Sequence, residues 1–516
     1  MIGCGGEKKE TKDALAPNLE EAEPNNDLHN AQPVTHGTIV KGFIHEKMDK
    51  DYYKITIPPD SGAILKAELT GVADINLKML LYDEYKEELL DVDSFKEGEN
   101  ETITNFTLKS GDTYLLVREL WLKANEKKFN DTLAYNLRIY FNEVTKDIEL
   151  EPNNKAIKAT TLIPDTTMKG YFSPKGDEDW YRLSLNRENA KYLQITLSGV
   201  ENVDAKIKIY DPIEALIYKA DKGGKGEGEK ITNLGIDLSN EFYYVVAASA
   251  KYHANESTPY ELSVRFIHSS HKTEIEPNNR MVKATEIVED DSIFGFIDDS
   301  KDVDWYHIKR DVIESQIAKI EVKGIPKIDF KISLINDLEK TILSVDDTGI
   351  QEDEKITNIG LIGGEDYYIK LETVKKGANV EDQYSIVMQF SSYFGTEEFE
   401  LNNHKESANP VEMDKAIAGY IHPIGDVDFY RLDLQHRYSG KLQFILEGIK
   451  KVNTNMELYD DSMNKIATAA AKPTEGIERI LVDCNPGTYY IKVFDNDGKE
   501  SNYRDKYQLA IFLKPL

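Results

Sequence analysis

Cysteine is almost missing from this chain. Cys4 and Cys484 are the only two in 516 residues, too few for a disulfide framework, and they build no C-x-x-C spacing for a metal or a redox couple. Basic residues are also in short supply, 63 Lys plus Arg against 92 Asp plus Glu. The resulting net charge of −29 argues against nucleic acid as a partner. No run approaches the roughly 18 apolar residues of a membrane-spanning helix. Catalytic signatures are lacking too: the ten His give no H-E-x-x-H, and there is no G-x-S-x-G, P-loop or G-x-G-x-x-G. His45-Glu46 comes nearest and lacks the second His, while Cys484 has no basic neighbour in sequence to activate a thiol. The chain reads as a non-enzyme.

What is present points to strands. Tyr is abundant, 29 against 18 Phe and 3 Trp, a bias that suits sheets with one wet face. Forty per cent apolar residues is enough for folded domains, and at roughly 100 to 200 residues per domain the length implies three to five of them.

Self-similarity fixes the number. The signature E-x-E-P-N-N starts at Glu21, Glu149 and Glu274 and recurs as E-F-E-L-N-N at Glu398, with successive offsets of 128, 125 and 124 residues. A second signature, D-x-D and two aromatics, recurs at Asp49 to Tyr53, Asp177 to Tyr181, Asp302 to Tyr306 and Asp426 to Tyr430. From the first Glu to the second Asp the separation is 30 residues every time. Each repeat then carries a turn feeding an aromatic strand, as in Pro486-Gly487-Thr488-Tyr489-Tyr490-Ile491, and closes on an alternating strand at Tyr135, Tyr260, Tyr384 or Tyr507. After D-x-D the alternation assigns Tyr181, Leu183 and Leu185 to the core and Trp180, Arg182 and Ser184 to the other face; His307 falls on the outward face of its own strand. The expected fold is all-β: four tandem antiparallel β-sandwich, jelly-roll-like domains, with helix limited to one turn after each Asn-Asn. The boundaries are 19–143, 144–268, 269–392 and 393–516.

In an extended segment the two Glu of E-x-E project from one face, as do the two Asp of D-x-D. If the segments meet, four acids converge. Converging carboxylates repel unless a cation or a shared proton compensates, and an oxygen-rich site suits Ca²⁺. Paired acids also serve glycosidases, but four copies of one active site in a chain would be unusual. The plainest reading is caps and turns, which favour the same residues; the invariant 30-residue phase weighs against it.

Taken together, E-x-E-P-N-N, D-x-D-W-Y and P-G-T-Y-Y-I-K-V resemble the bacterial pre-peptidase C-terminal domain family, which includes the collagen-binding domains of collagenases. The resemblance covers residues 19 to 516 in four copies. In the collagenase members it implies Ca²⁺ held by the E-x-E-x-N region with acids near the D-W-Y strand. By matching position this carries to Glu21, Glu23, Asn25, Asn26, Asp49 and Asp51 in the first repeat, and to Glu149, Glu151, Asn153, Asn154, Asp177 and Asp179 in the second. In the third and fourth it carries to Glu274, Glu276, Asn278, Asn279, Asp302 and Asp304, and to Glu398, Glu400, Asn402, Asn403, Asp426 and Asp428. Leu401 stands in place of Pro in the fourth repeat and Tyr52 in place of Trp in the first, and no peptidase is attached.

The N-terminal Ile2-Gly3-Cys4 resembles the end of a bacterial lipobox, without the apolar stretch of a signal peptide before it. Lipid on Cys4, with residues 1–18 as a polar tether, would place the protein in the cell envelope, on the outer membrane, periplasmic or surface face. The expected function is binding of protein or glycan ligands through outward tyrosines, such as one of Tyr243 and Tyr244 or of Tyr367 and Tyr368. The alternative is an accessory or assembly partner of a separately encoded secreted peptidase. Cys484, inside a strand pattern, reads as a buried inert thiol.

Overall fold

The computed structural model describes residues 18–120, 128–185, 190–268, 272–288, 290–308, 313–436, 440–469 and 476–514. Cys4 and most of the tether lie outside the described residues. The protein is all-β: eight sheets and no α-helix among the described residues. A single 3-10 turn follows each Asn-Asn, at Leu28–Asn30, Ala156–Lys158, Met281–Lys283 and Lys405–Ser407. No helix among these residues is long and apolar enough to cross a membrane. Two compact units form, Met1–His268 with the first two repeats and Ser269–Leu516 with the last two.

The second repeat shows the plan. One sheet runs Thr160–Thr161, Glu178–Ser184, Phe242–Ser249, Ala205–Tyr210, Leu216–Ala220, and the other Thr167–Phe172, Asn255–Ile267, Tyr192–Leu197, Glu229–Gly235. All pairings are antiparallel except the short first strand, which lies parallel to Glu178–Ser184. The alternation of each strand sends one side of each sheet into a common apolar cluster: Leu183, Ile207 and Val245 from one, Ile195, Leu234 and Leu262 from the other. Each such side chain contributes about 1.5–3 kcal/mol by leaving water. Three further clusters of the same kind fill the other repeats.

Tyr181, Leu183 and Leu185 are in the core, and Arg182 and Ser184 are exposed. Trp180 points outward yet is 9% exposed, because Ala156 and Ala159 beside the 3-10 turn, with Tyr210 and Tyr244, cover it. In the tyrosine pairs the first member is core and the second outward: Tyr243 and Tyr367 are buried, Tyr244 and Tyr368 half-buried. Cys484 is a buried free thiol.

Candidate cation sites

The 30-residue phase brings E-x-E and D-x-D together. In the second repeat, Glu149, Glu151 and Asp179 each offer an oxygen within 4.8 Å of the others. Glu274, Glu276 and Asp304 do the same in the third, Glu398, Glu400 and Asp428 in the fourth, and Glu23, Asp49 and Asp51 in the first.

The six residues of each motif pair play different parts. Glu149 is saturated: Oε1 accepts from Tyr171 N at 2.7 Å and from Asn105 Nδ2, and Oε2 lies 2.9 Å from both Tyr181 Oη and Tyr260 Oη. The two hydroxyls bond each other, and Tyr260 Oη reaches Asp179 Oδ2 at 2.7 Å. Asp177 ties the turn instead, accepting from Ser173 N at 3.2 Å and from Asn154 Nδ2. Glu151 uses Oε2 on Asn153 N at 2.8 Å. That leaves Glu151 Oε1, Asn153 Oδ1 and Asp179 Oδ1 buried with no hydrogen-bond partner. The fourth repeat is built alike: Glu398 takes Tyr420 N, Asn358 Nδ2, Tyr430 Oη and Tyr507 Oη. Asp426 caps His422 N and Val427 N at 2.9 Å each, and Glu400 Oε1, Asn402 Oδ1 and Asp428 Oδ1 are left without partners. Asn403 Oδ1 has none either.

In the third repeat Tyr306 and Tyr384 close on Glu274 at 3.1 and 2.8 Å, Tyr384 reaches Asp304, and Asn278 Oδ1 and Asp304 Oδ1 stay unbonded. Asp302 and Asn279 Oδ1 both hold Val303 N, at 3.0 and 2.8 Å. The first repeat is looser. Glu21 Oε1 takes Phe43 N and His45 Nε2 at 2.8 Å each, Glu23 is exposed, and Asn26 Oδ1 and Asp49 hold Lys50 N. The Asn25 amide lies 3.2 Å from both Lys50 O and Asp51 Oδ1.

Burial without compensating charge shows in the acidities. Glu151 is pushed up to about 8, first by burial and then by the Glu149 carboxylate; Glu400 goes to about 8 for the same reasons, with Glu398 as the neighbour. Burial also raises Asp179 and Asp428 well above the usual carboxylate range. Such a cluster either takes protons or holds a cation. Carboxylate oxygens gathered within 4.8 Å of one another, with an unpartnered buried amide two residues along the chain, are the hard oxygen donors that a divalent ion accepts. These residues fit a metal ion.

No protein-family model and no curated protein matches the chain. It is similar in structure to the pre-peptidase C-terminal domain of a collagenase from Bacillus anthracis, at 20% identity and TM-score 0.18, covering 21% of this chain and 99% of that one. A second likeness is to a protein from Eubacterium rectale described as secreted, at 10% identity and TM-score 0.17 over 46% of this chain and 81% of that one. A third is to the BSP domain of a biofilm-associated protein, at 9% and 0.13 over 90% and 96%. At these TM-scores the likenesses carry no argument about function.

Two parts of the site have signals that the motif reading passed over. Gly42, Gly170, Gly295 and Gly419 each follow the first Glu by 21 residues, and a Cβ on any of them would collide with the Glu carboxylate and the closing tyrosine. Ile-Thr-Asn follows the first Glu by 82 residues at Ile103, Ile231 and Ile356. The closing tyrosines were visible as members of each repeat's last alternating strand, but not as the hydroxyls that bridge Glu to Asp.

Proposed function

We propose that the chain is a non-catalytic array of four β-sandwich modules, each stiffened where its E-x-E segment meets D-x-D by a bound Ca²⁺, that displays ligand-binding faces at the cell envelope. Glu151, Asn153 and Asp179, with their counterparts in the other repeats, would hold the ion; water and backbone oxygens would complete the about six to eight ligands calcium takes. The ion would supply fixed positive charge among buried carboxylates and a cross-link between two strands. Lipid on Cys4 would tether the array.

The observation that carries the binding reading is a row repeated four times on the outer face of one sheet. Register places Lys54, Tyr114 and Tyr82 side by side in the first repeat, and Arg182, Tyr244 and Tyr210 in the second. His307, Tyr368 and Ile335 follow in the third, and Arg431, Tyr490 and Tyr459 in the fourth. Where the central ring is half-buried, as at Tyr114, Tyr244 and Tyr368, a basic group or imidazole beside it offers stacking area with a polar edge, which suits an extended protein or glycan chain; Ile335 and Tyr490 are buried. A spacing repeated along one polypeptide adds avidity when the ligand is long.

The test is a screen of the full chain against immobilised polysaccharides and extracellular-matrix proteins, followed by Tyr244→Ala and Arg182→Ala. Each variant should weaken binding of the retained ligand about tenfold, the loss of one aromatic anchor. Wild-type affinity in both would sink the assignment of this face. Recovery of a single stoichiometric peptidase in pull-downs from envelope fractions, with no ligand in the screen, would favour the assembly role instead.

A further inference from the structure

Glu149 and Glu398 are not held by their own repeats alone. On the strand Glu101–Leu108, Leu65 faces Phe106 and Ala67 faces Ile103, so Thr104 and Asn105 together oppose one residue and form a bulge. The same two-for-one bulge falls on Thr232 and Asn233 and on Thr357 and Asn358. Within each, the Thr hydroxyl donates to its Asn Oδ1, at 2.8, 2.9 and 2.7 Å. That bond fixes which end of the amide faces outward. The freed Nδ2 of Asn105 donates to Glu149 Oε1, and that of Asn358 to Glu398 Oε1.

The backbone follows the side chain. Thr107 N donates to Glu151 O at 2.9 Å, and Phe106 and Glu151 form an isolated parallel bridge. Ile359 and Glu400 form the same bridge, with Gly360 N to Glu400 O at 2.6 Å and Glu400 N to Asn358 O at 3.2 Å. The bulge strand of one repeat thus seats the very segment that carries the next repeat's open carboxylate. Where the arrangement differs, the cradle differs. In the first repeat His45 serves Glu21 in place of an Asn, and Glu23 is exposed, whereas Glu151 and Glu400 are 6% and 4% exposed. In the fourth repeat the bulge is gone: Phe444, Gln443 and Leu442 face Ile480, Leu481 and Val482 one to one, and Leu481 is 47% exposed.

We infer that Asn105 and Asn358 are positioning residues that latch the E-x-E segments of the second and fourth repeats onto the preceding repeat, so that the cation cradles of those two repeats are held in place across that junction. This rests on the cation reading above, and its test separates the two. The full chain, Asn105→Ala, Asn358→Ala and the shape-conserving Thr104→Val are compared by amide hydrogen exchange in EGTA and by calorimetric titration with CaCl2. Losing a hydrogen bond to a buried carboxylate should speed exchange over residues 148–154 about tenfold or more in Asn105→Ala, and less in Thr104→Val. Residues 398–404 should stay as in wild type in those two variants and respond only in Asn358→Ala. Each Asn variant should weaken one calcium site about tenfold and leave the others alone. Unchanged exchange protection of residues 111–119 in Asn105→Ala certifies that the first repeat is folded. Wild-type exchange at both segments overturns the latch whatever calcium does. If the wild type takes up no calcium, the cation reading fails, and the exchange result still decides whether the latch exists.

Discussion

Stripped of divalent cations with EGTA, the protein should lose thermal stability as pH rises from about 5 to about 8, and CaCl2 should restore it at the alkaline end. The sign follows from the direction of the shifts. Glu151 and Glu400 are raised from 4.5 to about 8 by burial and by a neighbouring carboxylate. A carboxyl raised in the folded state keeps a proton that the unfolded chain has released. The stability this provides is fully present below about 4.5 and is lost as pH passes about 8. At about 1.4 kcal/mol per pH unit, Glu151 alone accounts for a loss on the order of 4 kcal/mol across that window. A cation reverses the sign, because it favours the ionised cluster and releases the protons on binding. At a hundredfold excess over Kd each occupied site adds about 2.7 kcal/mol. Calcium should therefore do little near pH 5 and most at pH 8. The double variant Glu151→Gln plus Asp179→Asn sharpens the test. In EGTA at pH 8 it should melt above wild type, since neutral amides replace groups that must ionise, while one site's response to calcium disappears. A midpoint that rises with pH in EGTA, or a double variant that responds to calcium like wild type, would contradict the reading of these clusters.

Much of this was legible in the chain because it is written as phase. The sheet-forming alternation and the meeting of E-x-E with D-x-D follow from spacings that four copies of the motifs hold constant while the intervening sequence drifts. What spacing does not convey is the division of labour among like residues. Glu149 and Glu151 are equivalent in an extended segment, yet four donors saturate the first and the second keeps an open oxygen. The difference is made by Tyr260, 111 residues away, and by Asn105, 44 residues before. Tyr181 is likewise indistinguishable from Phe in a strand pattern until its hydroxyl is seen on Glu149. The aromatic after D-x-D was assigned outward from alternation alone, but not its cover by Ala156 and Ala159, which depends on a turn that alternation does not describe.

The same closed geometry makes Gly170→Ala a strongly damaging substitution in the first unit. A methyl at that position falls on Glu149 Oε2 and Tyr260 Oη at once, and neither can retreat: Glu149 is pinned from four directions and Tyr260 is fully buried. Relief requires breaking hydrogen bonds to a buried carboxylate, about 1.5–3 kcal/mol for each, on top of the strain of overpacking. A cost of about 4 kcal/mol, or a fall in Tm of about 10 °C for the transition of that unit, is expected. Gly226→Ala is the matched control. Its φ is +85° and nothing lies within 4 Å of the added Cβ, so only backbone strain of about 1 kcal/mol applies. Removing the obstructing hydroxyl supplies the diagnosis. Tyr260→Phe alone should cost about 2 kcal/mol by leaving Asp179 Oδ2 without its donor. Combined with Gly170→Ala it should cost less than the sum, because the two changes compete for one site. Additivity, or a Gly170→Ala midpoint no lower than that of Gly226→Ala, would mean that the Glu149, Tyr260 and Asp179 hub is slack rather than the rigid centre of the repeat.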